Sequence, residues 1–560
     1  AGAGAMRGRG RDARALGRGR DARALASGRE RGDKASIMSE SPERPADPYR
    51  IEDLAARREK ALAMGGEGKV ARVHAAGRLT VRERIDLLVD GGSFREVGLL
   101  AHSDLPDARE KTPADGKVCG FAQLDGRTVY VSGEDATVLA GSGGRVGVKK
   151  DHDAMAYAAR KGFPLVSLGD GGGARIPDIM GATGMMSMVY PIDGLPRDRR
   201  VPFIATILGE CYGGPTWKAA VADIVIQVKG AIMAVSGPPV LAAATGETVT
   251  GEEIGGWELH AKVTGQVDLF AEDEKDCMAL VRRVLSYLPN NASESPPVLR
   301  SGDPVNRRLD DVLAILPDRA KVAYDMHKIL SRVFDADSLL ELKPLYDPSL
   351  ITAFARLDGH PVGVLANNPM QRAGAMGPGA CEKATAFICL CDSFHIPLVF
   401  FHDTPGFFVS KAAEEKKMPL KIMTFIEALH HSTVPRLSVV VRKSYGMAHC
   451  NMSGGNMRSD YLVAWPTADV SFMAPEAAAN VVFGRKVDDY DDPEGPRANL
   501  IEQMKRMNSP WEAAGTGLFD DVIDPRDTRR VLVEALRRAL GPQGDRGRSE
   551  RRLASWPRMF

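Results

Sequence analysis

The sequence contains two copies of one segment, and matching residues recur at a constant spacing of 233 positions. The stretch FAQLDG at 121–126 returns as FARLDG at 354–359. The register then holds without an insertion until Tyr212-Gly213, which returns as Tyr445-Gly446. A match of this length is not expected by chance, so the chain is predicted to be a duplicated domain.

The spacing is too long for a solenoid or a propeller, whose units run about 20 to 50 residues. We therefore expect each copy to own a complete core. A length of 560 residues, 44% of them hydrophobic and 26% charged, fits two such domains with tails. The formal net charge of +1 gives no reason to expect nucleic acid or a charged membrane surface as partner.

The cysteines indicate a compartment and no more. Seven cysteines are scattered along the chain without a C-x-x-C pair, which favours neither a disulfide framework nor a zinc ribbon. A reducing cytoplasm is the expected location. No apolar run approaches the roughly 20 residues of a membrane helix, so a soluble protein is expected.

Both ends of the chain are predicted to be tails, at 1–45 and 546–560. GRGRDARAL at 8–16 is repeated at once at 17–25, and such an Arg/Gly/Ala tract cannot bury apolar surface, so disorder is expected. An Arg-rich transit peptide and a basic nucleic-acid arm are alternatives. An ordinary start at Met38 favours over-extended translation instead. The Arg-rich C-terminal tail is expected to pack loosely.

Local patterns predict an α/β fold in each copy. Helices are predicted at 51–64 and 80–88. Asp-Gly turns at 125–126 and 358–359 predict β-hairpins, with strands at 118–124, 128–132, 352–357 and 361–366.

After each hairpin, helices alternate with strands that are apolar on both faces. The predicted helices are 151–161 and 381–392, and the predicted strands are 164–168, 203–208, 397–401 and 437–441. This alternation predicts a parallel sheet covered by helices. A Pro/Ser/Asn-rich linker at 289–307 separates the copies, which gives domains at 46–300 and 301–545.

The same turn follows a strand in each copy, at Gly213-Gly214 and at Gly446-Met447-Ala448. A strand that ends in small residues and opens a helix leaves backbone N–H groups without partners, which predicts an oxyanion hole. An isolated Gly-Gly pair is more simply a tight turn. Recurrence in both copies favours function, because two such sites suit a reaction between two carbonyl compounds.

A second glycine-rich segment, GDGGGAR at 169–175, follows the strand at 164–168. It satisfies the G-x-G-x-x-G/A spacing of dinucleotide sites. Pro177, Gly181 and Gly184 interrupt the helix that such a site needs, which disfavours a nicotinamide enzyme. The sequence has no P-loop motif for ATP.

The chain resembles the carboxyltransferase subunits of biotin-dependent acyl-CoA carboxylases, in the propionyl-CoA carboxylase β-subunit group. The resemblance extends from about residue 50 to 540. It is carried by GGEGKVARVHAAGRLTVRERIDLLVDGGSFREVG (65–98), GDGGGARIP (169–177), TGEEIGGWELHAKVTGQVD (250–268), ANNPMQRAG (366–374), CEKATAFICLCDSFHIPLVFFHDTPGF (381–407) and AWPTADVSFMAPEAA (464–478).

The resemblance implies two tandem crotonase-like (ClpP/crotonase) β-β-α superhelix domains and a hexamer of two trimeric rings. It also implies transfer of a carboxyl group from carboxybiotin to the α-carbon of an acyl-CoA through a thioester enolate. Gly213 and Gly214 would hold the thioester oxygen. Met447 and Ala448 would hold the ureido oxygen of biotin.

Further site residues follow from the same resemblance. The acyl-CoA side would be lined by Gly172, Gly173, Ala174, Arg175, His449 and Cys450. The biotin side would be lined by Asp403, Pro405, Gly406 and Gly446. Arg175 would contact a CoA phosphate. For Arg175 and for His402-Asp403, local hydrogen bonding is the alternative. No metal or nucleotide is expected on this chain.

The chain departs from the family at four places. Met447 replaces a glycine, His449 an aromatic residue, and Cys450 the aspartate that helps set acyl preference in propionyl enzymes. The loop at 407–425 also differs, which leaves biotin or carrier docking open. His449 and Cys450 could form a nucleophilic pair, but neighbouring side chains point apart, so a pocket-lining role is favoured.

No biotin attachment motif is present, and no segment is left over for an ATP-dependent carboxylase domain. We therefore expect a separate biotin carboxylase and biotin carrier (α) subunit. The alternatives are the carboxyltransferase subunit of a decarboxylase or transcarboxylase and a non-catalytic acyl-CoA-binding homologue. The acyl group is not determined by the sequence.

Overall fold

The computed structural model describes residues 49–182, 184, 198–300, 302–319, 322–484, 494–541 and 550–558. The predicted tail at 1–45 lies outside these residues. Contact clustering separates residues 1–54, of which 49–54 are described, from a second unit at 55–560. Both copies of the repeat lie in the second unit. Over the described residues, no helix is long and apolar enough to cross a membrane.

The strands of the two copies form separate sheets. The first sheet has seven strands in the order β1-β2-β3-β4-β5-β7-β9, and β6 pairs with β8 beside it. These strands are β1 Arg95–Glu96, β2 Lys117–Leu124, β3 Arg127–Glu134, β4 Leu165–Gly169, β5 Phe203–Ile207, β6 Glu210–Tyr212, β7 Ile224–Val228, β8 Ile232–Ala234 and β9 Leu269–Ala271.

The second sheet has eight strands in the order β10-β11-β12-β13-β14-β15-β17, with β16 on β14. Its strands are β10 Leu340–Leu342, β11 Leu350–Leu357, β12 His360–Asn367, β13 Leu398–Thr404, β14 Arg436–Tyr445, β15 Tyr461–Ala464, β16 Asp469–Ser471 and β17 Asp521–Val522.

The α-helices cover both sheets. In the first half they are α1 Ile51–Leu62, α2 Glu67–Ala75, α3 Val81–Leu88, α4 Arg145–Lys161, α5 Gly214–Val221, α6 Pro238–Thr245, α7 Gly251–Gly255 and α8 Glu274–Tyr287. In the second half they are α9 Met326–Val333, α10 Pro378–Ser393, α11 Lys411–Glu415, α12 Met418–His431, α13 Gly446–Asn451, α14 Pro475–Phe483, α15 Glu494–Met507, α16 Pro510–Gly515 and α17 Thr528–Leu540.

Both predicted hairpins are confirmed, and their turns share one conformation. Asp125 and Gly126 have φ of 50° and 75°, and Asp358 and Gly359 have φ of 55° and 80°. Positive φ at both central residues matches the right-handed twist of the flanking strands. The Asp-Gly sequences therefore set the register of both hairpins.

The sequence repeat is also a repeat of strand pairing. Tyr130 lies opposite Leu165, and 233 positions later Gly363 lies opposite Leu398, in parallel strands in both cases. After the repeated turn, the spacing between equivalent residues of the two copies grows from 233 to 237. Ile204 pairs with Ile224, and Leu437 pairs with Tyr461, which lies 237 positions after Ile224. The predicted α/β class, with a largely parallel sheet after each hairpin, is confirmed.

The cores of the two copies are joined, although a second cluster lies wholly within the second copy. The largest hydrophobic cluster contains buried side chains from both halves. At their contact the Tyr287 ring stacks on Phe354, with centroids 5.4 Å apart, and Phe354 contacts Phe387 of α10. Because aromatic side chains of this size bury large areas, the two copies stabilise one another.

Some helices begin earlier than predicted, and α2 was not predicted. α10 begins at Pro378 and α4 at Arg145. Proline is favourable at the first helical position because its missing N–H has no helical acceptor there. The described residues of the linker at 289–307 contain neither helix nor strand, as predicted.

The C-terminal tail does not pack loosely over 550–558. Leu553 is fully buried. The Arg199 guanidinium donates to the carbonyl oxygens of Leu553, Ala554 and Trp556, at 3.1, 3.3 and 2.9 Å. The prediction was wrong because it rested on the Arg-rich composition alone. Arg199, from a distant segment, donates hydrogen bonds to the carbonyl oxygens of this tail.

Candidate active site

Each repeated turn has a glycine with positive φ where a strand meets a helix. Gly213 has φ 62° just before α5, and Gly446 has φ 57° as the first residue of α13. Such positive φ values favour glycine. Since the first N–H groups of a helix have no intrahelical acceptor, each turn directs backbone donors outward.

The first turn offers one free donor rather than two. The Gly213 N–H already donates to the Val235 carbonyl at 3.2 Å. Among the described residues no acceptor is found for the Gly214 N–H, and Gly214 is exposed. The next residue, Pro215, has no N–H. Gly214 is therefore the stronger of the two predicted donors.

In the second turn, neither Met447 nor Ala448 donates its N–H to any acceptor in the part of the chain that the structure describes. The Met447 side chain is 46% exposed, so it finds room where the family has glycine. Ala448 is fully buried. Met447 is therefore the donor nearest the surface.

The predicted glycine segment lies against the first turn. The Tyr212 N–H donates to the Gly171 carbonyl at 3.1 Å, and a Cβ atom on Gly173 would lie 3.2 Å from the carbonyl oxygen of Tyr212. Gly173 and Ala174 are held by a bridge to Gly143. The glycine segment therefore borders the turn through Gly171 and Gly173.

The Arg175 side chain bonds to nearby carboxylates, which favours the alternative of local hydrogen bonding over a CoA phosphate contact. Its side chain is only 4% exposed and pairs with Asp115 and Asp178, at 2.7 Å for Asp178. Burial raises the pKa of the Asp115 carboxyl, and the Arg175 ion pair opposes that rise. Arg175 instead ties the glycine segment to the residues before β2.

Both basic and acidic side chains line a groove that reaches the glycine segment. Lys69 and Arg72 of α2 line this groove of about 460 Å³ together with Arg78, Glu210 and Gly172. Lys69 and Arg72 are exposed, while Arg78 pairs with Asp170. Lys69 and Arg72 stand three residues apart on the helix, a spacing that places them on one face. The three-residue spacing of Lys69 and Arg72 was the feature of the sequence that could have predicted this basic face.

Asp403 also bonds locally, which favours the alternative of local hydrogen bonding over a place on the biotin side. Its carboxylate is fully buried and pairs with Arg442 at 2.9 Å and Lys443 at 3.2 Å. The exposed Pro405 and half-buried Gly406 follow it. Asp403 therefore supports the strand end, while Pro405 and Gly406 remain available.

His449 is 7% exposed and Cys450 half-buried. The His449 ring nitrogens contact Ser444 Oγ at 2.8 Å and the Gly455 N–H at 3.1 Å. With both nitrogens engaged, His449 cannot activate Cys450, so the structure disfavours the nucleophilic pair.

The divergent loop forms two helices, α11 and α12. With α10 they line a groove of about 760 Å³ whose charged residues include Lys417, Lys421 and Glu382. The described residues hold no group of three or more side chains suited to a metal ion.

Residues 72–551 match the family described as the carboxyl transferase domain. A propionyl-CoA carboxylase carboxyltransferase subunit of Haloferax mediterranei is 36% identical over 493 residues, which cover 87% of this chain and 95% of the relative. A methylmalonyl-CoA decarboxylase α subunit of Veillonella parvula is 35% identical over 491 residues, with 87% and 95% coverage.

A crystal structure of transcarboxylase 12S superposes with a TM-score of 0.82 at 36% identity, and the match covers 87% of this chain and 94% of that one. The expected crotonase-like fold and the expected enzyme class are thereby confirmed. The sequence resemblance, the family match and the superposition agree over the same residues, and the chain belongs to the carboxyl transferase domain family.

Proposed function

We propose that this chain transfers a carboxyl group from carboxybiotin to the α-carbon of an acyl-CoA. The supporting observation is the pair of equivalent turns, each with a backbone N–H that has no acceptor among the described residues. A thioester enolate and a ureido oxygen both need hydrogen-bond donors and no charged partner. One donor of this kind contributes about 3 to 4 kcal/mol to transition-state stabilisation.

On the acyl-CoA side, the Gly214 N–H donates to the thioester oxygen. The Gly213 N–H also donates to this oxygen, in a hydrogen bond shared between it and the Val235 carbonyl. Gly172, Gly173 and Ala174 form the wall. We assign the CoA phosphates to Lys69 and Arg72 rather than to Arg175, because Lys69 and Arg72 are exposed and line a groove that reaches Gly172, although the exposed Glu210 lines it too.

On the biotin side, the Met447 N–H and then the Ala448 N–H donate to the ureido oxygen, and Gly446, Pro405 and Gly406 border them. The donor set fits, because backbone N–H groups stabilise a ureido oxygen on which negative charge would develop. When bound, carboxybiotin supplies the carboxyl group that is transferred. Cys450, half-buried after the turn, contributes to the acyl pocket, whereas the buried His449 ring bonds to Ser444 and Gly455.

We further propose that carboxybiotin arrives on a separate carrier subunit in the cytoplasm. One observation supports a separate carrier: the chain covers 95% of a relative that is itself named a carboxyltransferase subunit. We assign the repeat units to 46–300 and 301–545. A homohexamer, the assembly named for transcarboxylase 12S, would bring the first turn of one subunit to the second turn of another.

The test uses the purified full chain, free biotin and methylmalonyl-CoA or malonyl-CoA. We expect biotin-dependent loss of the carboxyl group from the acyl-CoA, no reaction with bicarbonate and ATP, and no signal with avidin. Absence of any transfer would favour an acyl-CoA-binding homologue. ATP-dependent carboxylation by the chain alone would contradict the separate carrier.

A decarboxylase subunit that runs the same step in reverse is the second candidate, because such a subunit is among the relatives. Reconstitution with candidate partner subunits distinguishes the two. Net carboxylation with ATP supports the carboxylase, whereas net decarboxylation through a membrane partner supports the alternative.

A further inference from the structure

A chain of three polar side chains lies directly behind the second turn. His402 of β13, Ser444 of β14 and His449 of α13 are all buried, with exposures of 0, 0 and 7%. Ser444 Oγ lies 2.9 Å from His402 Nδ1 and 2.8 Å from His449 Nδ1. Nothing in the proposed transfer step uses these groups directly.

A backbone N–H group determines which atom donates in each hydrogen bond between these three side chains. The Gly455 N–H donates to His449 Nε2 at 3.1 Å, so Nε2 carries no proton. The neutral His449 ring therefore has its proton on Nδ1 and donates it to Ser444 Oγ. The Ser444 hydroxyl must then donate to His402 Nδ1.

The electrostatic environment agrees with two neutral rings. Burial lowers the pKa of His449 to about 4. Burial also holds the pKa of His402 well below its usual value, and nearby His449 lowers it further. At neutral pH both rings are uncharged, as this proton order requires.

The His449-to-Ser444 bond closes the turn from both sides. Ser444 is two residues before Gly446, and His449 follows Ala448, so the bond spans the residues that carry the free N–H groups. On its other side the ring packs against Gly454, where a Cβ atom would overlap it. The clamp therefore joins the turn to the strand before it and to the chain after it.

The first half has an equivalent clamp at the matching position. Thr216 lies 233 positions before His449 and is also buried. Its hydroxyl oxygen lies 3.0 Å from the carbonyl of Cys211, the counterpart of Ser444, and 2.9 Å from that of Ala234. Both copies thus close the turn with the same repeat position but use different side chains.

We propose that His449, supported by Ser444 and His402, is a positioning residue that orients the N–H groups of Met447 and Ala448 toward biotin. The inference rests on the proposed function. It predicts that breaking the clamp weakens the biotin side and leaves the acyl-CoA side intact, because the clamp touches only the second turn.

The test compares Ser444→Ala, His449→Phe and His449→Gln, with Thr216→Val as the matched variant of the first half. Ser444→Ala and His449→Phe are expected to raise the KM for free biotin about tenfold or more without changing acyl-CoA affinity. His449→Gln keeps one donor and one acceptor and should recover part of the loss. Thr216→Val should show the opposite selectivity.

Hydrogen exchange of the full chain supplies a readout that does not depend on activity. Faster exchange in peptides that span 445–455, with unchanged exchange at 211–221, supports the clamp. Unchanged exchange and unchanged biotin KM in Ser444→Ala and His449→Phe would overturn it. So would an equal loss of biotin and acyl-CoA binding. If the parent chain shows no biotin-dependent transfer, the proposed function fails, while the exchange result still decides whether the clamp orders the turn.

Discussion

Gly374 lies so close to the backbone carbonyl of Asp403 that a Cβ atom on Gly374 would overlap its oxygen. The equivalent pair in the first half, Gly141 and the Asp170 carbonyl, has the same relationship. Gly141 ends the 3₁₀ turn Leu139–Gly141 before α4, and Gly374 ends the 3₁₀ turn Arg372–Gly374 before α10. In each copy this turn thus packs directly on the end of a central strand, β4 or β13. This contact holds the glycine segment or its counterpart beside the repeated turn.

Gly374→Ala is therefore expected to destabilise the protein by about 3 kcal/mol or more, because it combines a steric clash with backbone and a φ of 85°. Gly126→Ala is the matched control, since Gly126 also has positive φ but open space around its Cβ position. The control should cost about 1 to 2 kcal/mol. Chemical denaturation of both variants measures the difference, and equal losses would contradict the close contact.

The parts of this architecture that follow from local chemistry were predictable from the sequence. Asp125-Gly126 and Asp358-Gly359 dictate their turns, and strands that are apolar on both faces indicate a buried parallel sheet. The repeated turn was also visible, because Gly213 and Gly446 are required there by backbone conformation.

The partners of Arg175 and Asp403 were not predictable, because they are distant in the chain. Asp115 precedes Arg175 by 60 residues, and Arg442 follows Asp403 by 39. Nothing in the local pattern separates a buried ion pair from a ligand contact. His449 and Ser444 are close in sequence, so their contact is local. Which of the two donates depends on Gly455 and His402, and only the fold places these beside the pair.

Lys69→Ala and Arg72→Ala are expected to weaken acyl-CoA binding several-fold each without changing the melting temperature. Both side chains are exposed, so an individual phosphate contact contributes up to about 1 kcal/mol and weakens with salt. Lys275→Ala, an exposed lysine on α8 outside this groove, is the control. Titration calorimetry at two salt concentrations measures the effect, and unchanged affinity in both variants would remove α2 from the CoA site.

Arg175→Ala should behave in the opposite way. Removing the guanidinium leaves the buried carboxylates of Asp115 and Asp178 without their ion pair, which costs about 3 to 5 kcal/mol. The melting temperature should fall, and acyl-CoA affinity measured below the transition should change little. Lost affinity at an unchanged melting temperature would restore Arg175 as a CoA ligand.

Acid sensitivity is expected from His449, whose pKa is lowered by burial to about 4. An unfolded histidine titrates near pH 6.5, so the unfolded chain binds more protons than the folded one between pH 6.5 and 4. The contribution of His449 is complete above pH 6.5 and declines as the pH falls toward 4. Because one pKa unit corresponds to 1.36 kcal/mol, about 2 kcal/mol is lost by pH 5.

His449→Phe removes this titration while keeping an aromatic ring in the pocket. The variant should be less stable than the parent chain at pH 8, because it lacks both hydrogen bonds, yet the gap should narrow by about 2 kcal/mol at pH 5. Unfolding free energies from denaturant titrations at the two pH values give this comparison. A gap that stays constant or widens with acid would mean that the folded ring is already protonated, and the proton order from Gly455 to His402 would then be wrong.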